Sequence, residues 1–374
     1  MRKILSMSLS ALLITGLLAG CGQTGNTPGA ASSAQPASSS DTSGPASSGG
    51  EQKLVVNGKQ VNVIYVASEA ASAWQAIGTQ YLQSLVEKAG GKCQVLNANG
   101  DSQKQTQMVQ DALVMKPDVL VVKPVDSVGI VPALKKVAAA NIPTIALDTG
   151  VTGDVKLLTH IQTDQSSLGK TDAEYISKTF KAKGTQAKVV EILGDLTSSI
   201  GQQRRDSFDT YAKTAGNIKI VSQTECKWDP DKAYNATLDA FQRNPDANAV
   251  FCSSDSMESG VMQALKQLGK LYPASDPKHI VVVSIDADPT GVKYIKEGYT
   301  DEIAEHNAAL HSDIAYKVIV DYMHGFQIPS TIIFPTTAVT KDNVDDPARW
   351  GNMDVSKVKE WSTMDQNDYV MQTK

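Results

Sequence analysis

Residues 116–148 read KPDVLVVKPVDSVGIVPALKKVAAANIPTIALD. Pro117 and Asp118 interrupt what precedes them, and Val119–Val122 is an all-apolar run short enough for a strand buried on both faces. Leu134 and Val137 then mark one side of a helix-period segment, and Pro143 opens a second apolar run at Thr144–Leu147. Two buried strands joined by a helix make a parallel crossover unit. Polar residues follow both strands, Asp126 after the first and Asp148 after the second, at the strand ends where open parallel sheets receive ligands.

The same alternation extends in both directions. Upstream, a strand at 61–67 precedes a helix with Trp74, Ile77, Tyr81 and Leu85 at spacings of three and four, closed by Gly90 and Gly91. A strand at 93–96 and a helix through Val109 and Leu113 follow. Downstream, a second set has strands at 188–193, 218–222, Ala249–Cys252 and 280–285. One of its helices starts at Asp229, Pro230 and Asp231, with Asp as cap and Pro at the first helical position; another carries Met257, Val261, Leu265 and Leu268. Ser68, Asp126 and Asp148 lie past strand ends in the first set, and Asp195, Ser254, Asp255 and Asp286 in the second. The predicted class is α/β, with two doubly wound parallel-sheet lobes.

The N-terminus is of another kind. Arg2 and Lys3 precede an uncharged apolar stretch over 4–18, a signal-peptide layout too short to span a membrane. Leu18, Ala19, Gly20 and Cys21 resemble the bacterial lipoprotein cleavage box, which implies removal of 1–20 and diacylation of Cys21. The remainder of 21–52 is nearly all Ser, Gly, Ala, Pro and Thr, and reads as a disordered tether. Roughly 320 residues remain, enough for two lobes. The chain is 20% charged with a net charge of -5 and no basic stripe, so nucleic acid is not an implied partner. Cys93, Cys226 and Cys252 make an odd set, expected as buried thiols. A strand order of 2-1-3-4-5 would hold Cys226 and Cys252 about 9.5 Å apart, beyond disulfide reach.

Enzyme signatures are missing. Gly169, Lys170 and Thr171 resemble the end of a phosphate loop, but Asp164 stands where its leading glycine is required. There is no Gly-x-Ser-x-Gly elbow, and the five histidines form no His-Glu-x-x-His pair. No enzymatic activity, cofactor or metal is expected. A signal and tether also occupy the place where a repressor of related core would carry its DNA-binding helices.

Several short motifs, in order, resemble the sugar-binding proteins of the ribose-receptor type among periplasmic binding proteins. They are Gln105 through Lys116-Pro117-Asp118-Val119, the Lys123-Pro124-Val125-Asp126 turn, Asn141-Ile142-Pro143 to Asp148, and Ile161 to Asp164 with Leu168 and Gly169. In the second lobe Val250 to Asp255 with Met257, and Val282 to Asp286 with Pro289 and Gly291, continue the match. The resemblance implies a three-strand hinge, with crossings near Asp164, His306 and Pro335. Residues 53–164 and 307–334 would form lobe 1, and 165–306 and 335–374 lobe 2.

It also implies a ligand set. Asp148 and Asp286 would accept sugar hydroxyl hydrogen bonds, Arg204 would donate a fork of N–H groups, Trp74 and Trp228 would wall the ring, and His306 would occupy the hinge position. Ser68, Asp126 and Ser254 complete the expected contacts. Ala71, Ser72, Ala73, Gln75, Thr149 and Ser254 depart from the ribose pattern, so the implied ligand is a monosaccharide or related polyol rather than ribose itself. The implied partners are an ABC permease and its ATPase, and a membrane held through Cys21. The chain would be a monomer at the outer face of the cell membrane. A receptor feeding a membrane sensor kinase or chemoreceptor is the alternative. The tail 342–374 carries no readable role.

Overall fold

The structure, a computed structural model, describes residues 53–361. The expected leader 1–20, Cys21, the tether 21–52 and residues 362–374 lie outside them. The described chain opens with a hairpin of β1 (Val55–Val56) and β2 (Lys59–Gln60). Asn57 and Gly58 form its turn, with φ of 52° and 76°, the left-handed pair that a two-residue hairpin requires.

The first lobe then alternates β3 (Asn62–Ala67), α1 (Ala73–Lys88), β4 (Lys92–Asn97), α2 (Ser102–Met115), β5 (Val119–Val122), α3 (Val131–Ala139), β6 (Thr144–Leu147) and β7 (Thr159–Thr163). The second has α4 (Gln165–Ala182), β8 (Ala187–Leu193), α5 (Ser199–Ala215), β9 (Ile218–Glu225), α6 (Pro230–Arg243), β10 (Ala249–Cys252), α7 (Asp255–Gln267), β11 (Val281–Asp286), α8 (Pro289–Glu297) and β12 (Glu302–Glu305). The chain finishes with α9 (Ala308–Met323), β13 (Thr331–Phe334), β14 (Ala338–Thr340) and two 3-10 turns, Trp350–Asn352 and Val355–Glu360.

The sheets run β13-β7-β6-β5-β3-β4 and β14-β12-β11-β10-β8-β9. Every pairing in them is parallel except β12 with β14. Both faces of each sheet are covered, which is why the strands read as unbroken apolar runs. Val63 and Tyr65 of β3 enter one core and Ile64 and Val66 the other. In β8, Val190 and Ile192 face one side and Val189 and Leu193 the other. All the described α-helices except α3 start on side-chain caps; Asp101 Oδ1, for example, accepts from Gln103 and Lys104, and Asp229 Oδ1 from Asp231 and Lys232. Strand β8 separates Cys226 from Cys252, and both, like Cys93, are buried and unpaired.

The chain passes between lobes at three points. It leaves β7 through Asp164 into α4, whose Leu168, Ile176 and Phe180 sit in the second lobe. It leaves β12 through His306 into α9, whose Ile314, Val318 and Ile319 sit in the first. Pro335 then lies between β13 of the first sheet and β14 of the second. The tail differs from the expectation that all of 335–374 belongs to lobe 2. Residues 355–361 return to lobe 1, because Val358 and Trp361 find their burial against Tyr81 and Leu85 of α1. Ser84 Oγ and Lys88 Nζ fasten that end by donating to the carbonyls of Lys359 and Trp361, both at 2.9 Å.

Candidate functional site

Between the two rows of strand ends lies a cleft of about 440 Å³. Lobe 1 lines it with Ser68, Trp74, Lys123 and Thr149, lobe 2 with Arg204, Trp228, Ser254 and Asp286, and His306 stands at the crossing between them.

His306 is the centre of the polar floor. Its Nε2 lies 2.8 Å from Asp148 Oδ1 and its Nδ1 lies 2.9 Å from Asp286 Oδ1, one carboxylate from each lobe. Arg204 Nη2 stands 3.0 Å from the same Nδ1. That nitrogen therefore sits between a donor and an acceptor. Arg204 is held in place, with Nε donating to Gln165 Oε1 at 2.9 Å and Nη1 to the Ser253 carbonyl at 2.8 Å. Ser254 caps α7 and donates to Asp286 Oδ2 at 2.6 Å.

Asp148 departs from its expected role. It is fully buried and outside the cleft lining. Its Oδ1 accepts from Gln165 Nε2 at 2.9 Å as well as from His306, and Lys123 Nζ lies 2.9 Å from its Oδ2. Burial alone would raise this carboxyl, but Lys123 and His306 hold it well below the usual range. Asp148 thus anchors Lys123 and His306, both of which do line the cleft. Asp126 also departs from expectation. It lies outside the lining, and its Oδ1 accepts the amides of Val128 and Gly129 at 2.8 Å, the local turn bond that short Asp side chains favour.

The two tryptophans differ. Trp74 is buried, stacks on His306 with centroids 4.6 Å apart, and donates its Nε1–H to the His306 carbonyl at 2.8 Å. Lys123 Nζ sits 4.0 Å from its ring centroid. Much of Trp74 therefore serves protein partners. Trp228 is half-buried, and its own backbone and that of Lys227 adopt positive φ. Its ring lies flat over Gly194, where a Cβ would come within 2.0 Å of it. Glycine there is what lets the indole lie in the cleft wall. Ser68 Oγ donates to Gln75 Oε1 at 3.2 Å.

Lys123, which lines the cleft, and Gln165, which bonds both Asp148 and Arg204, were not singled out in the sequence. Lys123 belongs to the recognised turn after β5, Gln165 directly follows the recognised Asp164, and neither was assigned a role. Opposite the floor, the lobes touch directly: Ser199 N donates to Ser127 Oγ at 2.9 Å, Gly150 N to Ser199 Oγ at 3.0 Å and Ser127 N to the Thr197 carbonyl at 3.3 Å.

Residues 63–326 match the family model described as a periplasmic binding protein domain. The chain belongs to this family. Among relatives of this periplasmic binding protein, the ribose import binding protein of Salmonella typhimurium is 32% identical over 217 residues, 58% of this chain and 69% of that one. The ribose import binding protein of Bacillus subtilis is 25% identical over 260 residues, 70% of this chain and 81% of that one. The solved Caulobacter myo-inositol binding protein is 25% identical with a TM-score of 0.73, covering 80% of this chain and all of its own. Membership implies an extracytoplasmic location.

Proposed function

We propose that this protein captures a small polar ligand, a monosaccharide or related polyol, in the cleft between its lobes and delivers it to an ABC importer. The cleft's pairing of donors and acceptors beside an aromatic wall carries this reading. Arg204 and Lys123 offer N–H groups, Asp286, Ser254 and Ser68 offer oxygens, and Trp228 offers an apolar face. A sugar presents hydroxyls that both donate and accept, on a ring with C–H faces, and so matches all three. His306 and Trp74 complete the contacts from the floor. Relatives named for ribose, and others for allose and xylitol, support the ligand class. Thermal-shift screening of pentoses, hexoses, polyols and nucleosides tests it. A ligand at ~100 times its Kd adds about 2.7 kcal/mol to stability. No shift with any sugar or polyol would contradict the reading.

The same reading keeps the chain at the membrane through a diacylated Cys21, monomeric and without catalytic turnover. No helix among the described residues is long and apolar enough to cross a membrane, so a lipid would carry the attachment. Cys21→Ser is expected to release the protein into the soluble fraction of expressing cells. Unchanged membrane retention would refute the anchor.

A further inference from the structure

The tail beyond the family match ends up behind the cleft. After β14 the chain is pinned to lobe 2 by Val344, buried with Ala287, Val292 and Ile303, and by Arg349 Nη1, which donates to Glu305 Oε2 at 2.9 Å, one residue before His306. Trp350 follows, fully buried. Its Nε1–H donates to the Asp286 carbonyl at 3.0 Å, and its ring packs in a cluster with Trp74, Ile77, Ala308 and Ala309 of lobe 1. Gly351 lies against the Ala287 carbonyl, where a Cβ would come within 2.3 Å. The segment then reaches α1, as described.

Asp286 needs such support. Its φ is 122° and that of Ala287 is 57°, conformations that cost energy outside glycine and persist only when the surroundings impose them. The Asp286 carbonyl takes two hydrogen bonds, from Trp350 Nε1 and from the His306 amide at 3.1 Å. These fix the backbone from which the Asp286 carboxylate meets His306 and Ser254.

We infer that Trp350 is a positioning residue for the cleft, holding Asp286 of one lobe and Trp74 of the other, and that the strap 341–361 is a non-covalent fourth tie across the hinge. Trp350 touches no ligand itself. It acts by keeping the strained Asp286 backbone aimed at the cleft, so its loss should weaken capture in a protein that stays folded. This rests on the cleft being the binding site, as proposed above.

The test uses the mature chain with Trp350→Phe, which keeps an aromatic ring but lacks the N–H, and Arg349→Gln, which loosens the strap without entering the core. The probe is whichever of D-ribose, D-allose, xylitol and myo-inositol stabilises the wild type most. Calorimetry well below the unfolding temperature should show Trp350→Phe binding about tenfold more weakly, the scale of one lost hydrogen bond of about 1.4 kcal/mol. Arg349→Gln should fall between it and the wild type. A merely structural role would lower the unfolding temperature and leave the Kd unchanged. Independently of any sugar, hydrogen exchange at the His306 amide of the free chain should speed up in Trp350→Phe. If both variants fold, bind as the wild type and protect His306 equally, the inference is overturned. If Trp350→Phe does not fold, the Arg349→Gln affinity decides. If the wild type binds none of the four probes, none of them is its ligand, the broad screen above tests the ligand reading separately, and the His306 exchange rate alone decides the role of Trp350.

Discussion

The Asp148 carboxylate never reaches the cleft, and this changes what its removal should do. A buried charge paired with Lys123 and His306 is expensive to strand, so Asp148→Ala should cost about 3–5 kcal/mol of stability, read by urea unfolding. Asp286→Ala, at the cleft wall, should instead weaken ligand binding by about 1.5–3 kcal/mol, the scale of a hydrogen bond to a charged group, read by calorimetry. Equal unfolding midpoints for Asp148→Ala and the wild type would refute the buried anchor. The pairing was not legible in the sequence because Lys123 and Asp148 lie on the loops after different strands, β5 and β6. Only the parallel register of those strands brings them together. What could be read was that both residues follow strand ends. Whether an Asp there faces ligand, a cation or its own turn is decided by neighbours from other elements, and Asp126 and Asp148 were settled in different ways.

At the scale of elements, the apolar strands were readable because a strand covered on both faces carries an apolar residue at every position, as β5 and β10 do. Strand β12 was not, since Glu302 and Glu305 bracket it and two acids read as a surface loop. Glu302 is nevertheless fully buried, facing Asp172 of α4. Burial pushes Glu302 up to about 8, with the neighbouring Asp172 drawing it partly back, while burial and then Glu302 push Asp172 well above its ordinary value. The folded state therefore holds protons that the unfolded chain releases. The stability they give is full below the unfolded Glu value near 4.5, and it declines as pH rises towards 8, by a few kcal/mol in all. Thermal unfolding at pH 5.5 and 8.5 (about three units apart) should show the wild type losing stability at the higher pH. Glu302→Gln should show a smaller loss. An identical pH dependence in the variant would remove the pair from the account.

For the whole molecule, the repeated order of strand and helix made two wound lobes legible, and the same pattern placed a strand between Cys226 and Cys252. The tail was illegible for a physical reason: its burial comes from single large side chains, Trp350 and Trp361, inserted between elements rather than from any periodic pattern. The lobes meet at the His306 floor and at the Ser127–Ser199 contacts, so the cleft has walls that neither lobe supplies alone. The most direct test of capture in this cleft is a calorimetric titration, with the sugar found by screening, of the wild type against Trp228→Ala. Trp228 lines the wall from the edge of the second-lobe core, where it is only half-buried, and an aromatic contact with its buried area is worth about tenfold in affinity. The account predicts one site per wild-type chain, and binding at least about tenfold weaker in the variant with its unfolding temperature little changed. Equal affinity in a folded Trp228→Ala protein would place the ligand somewhere other than this cleft.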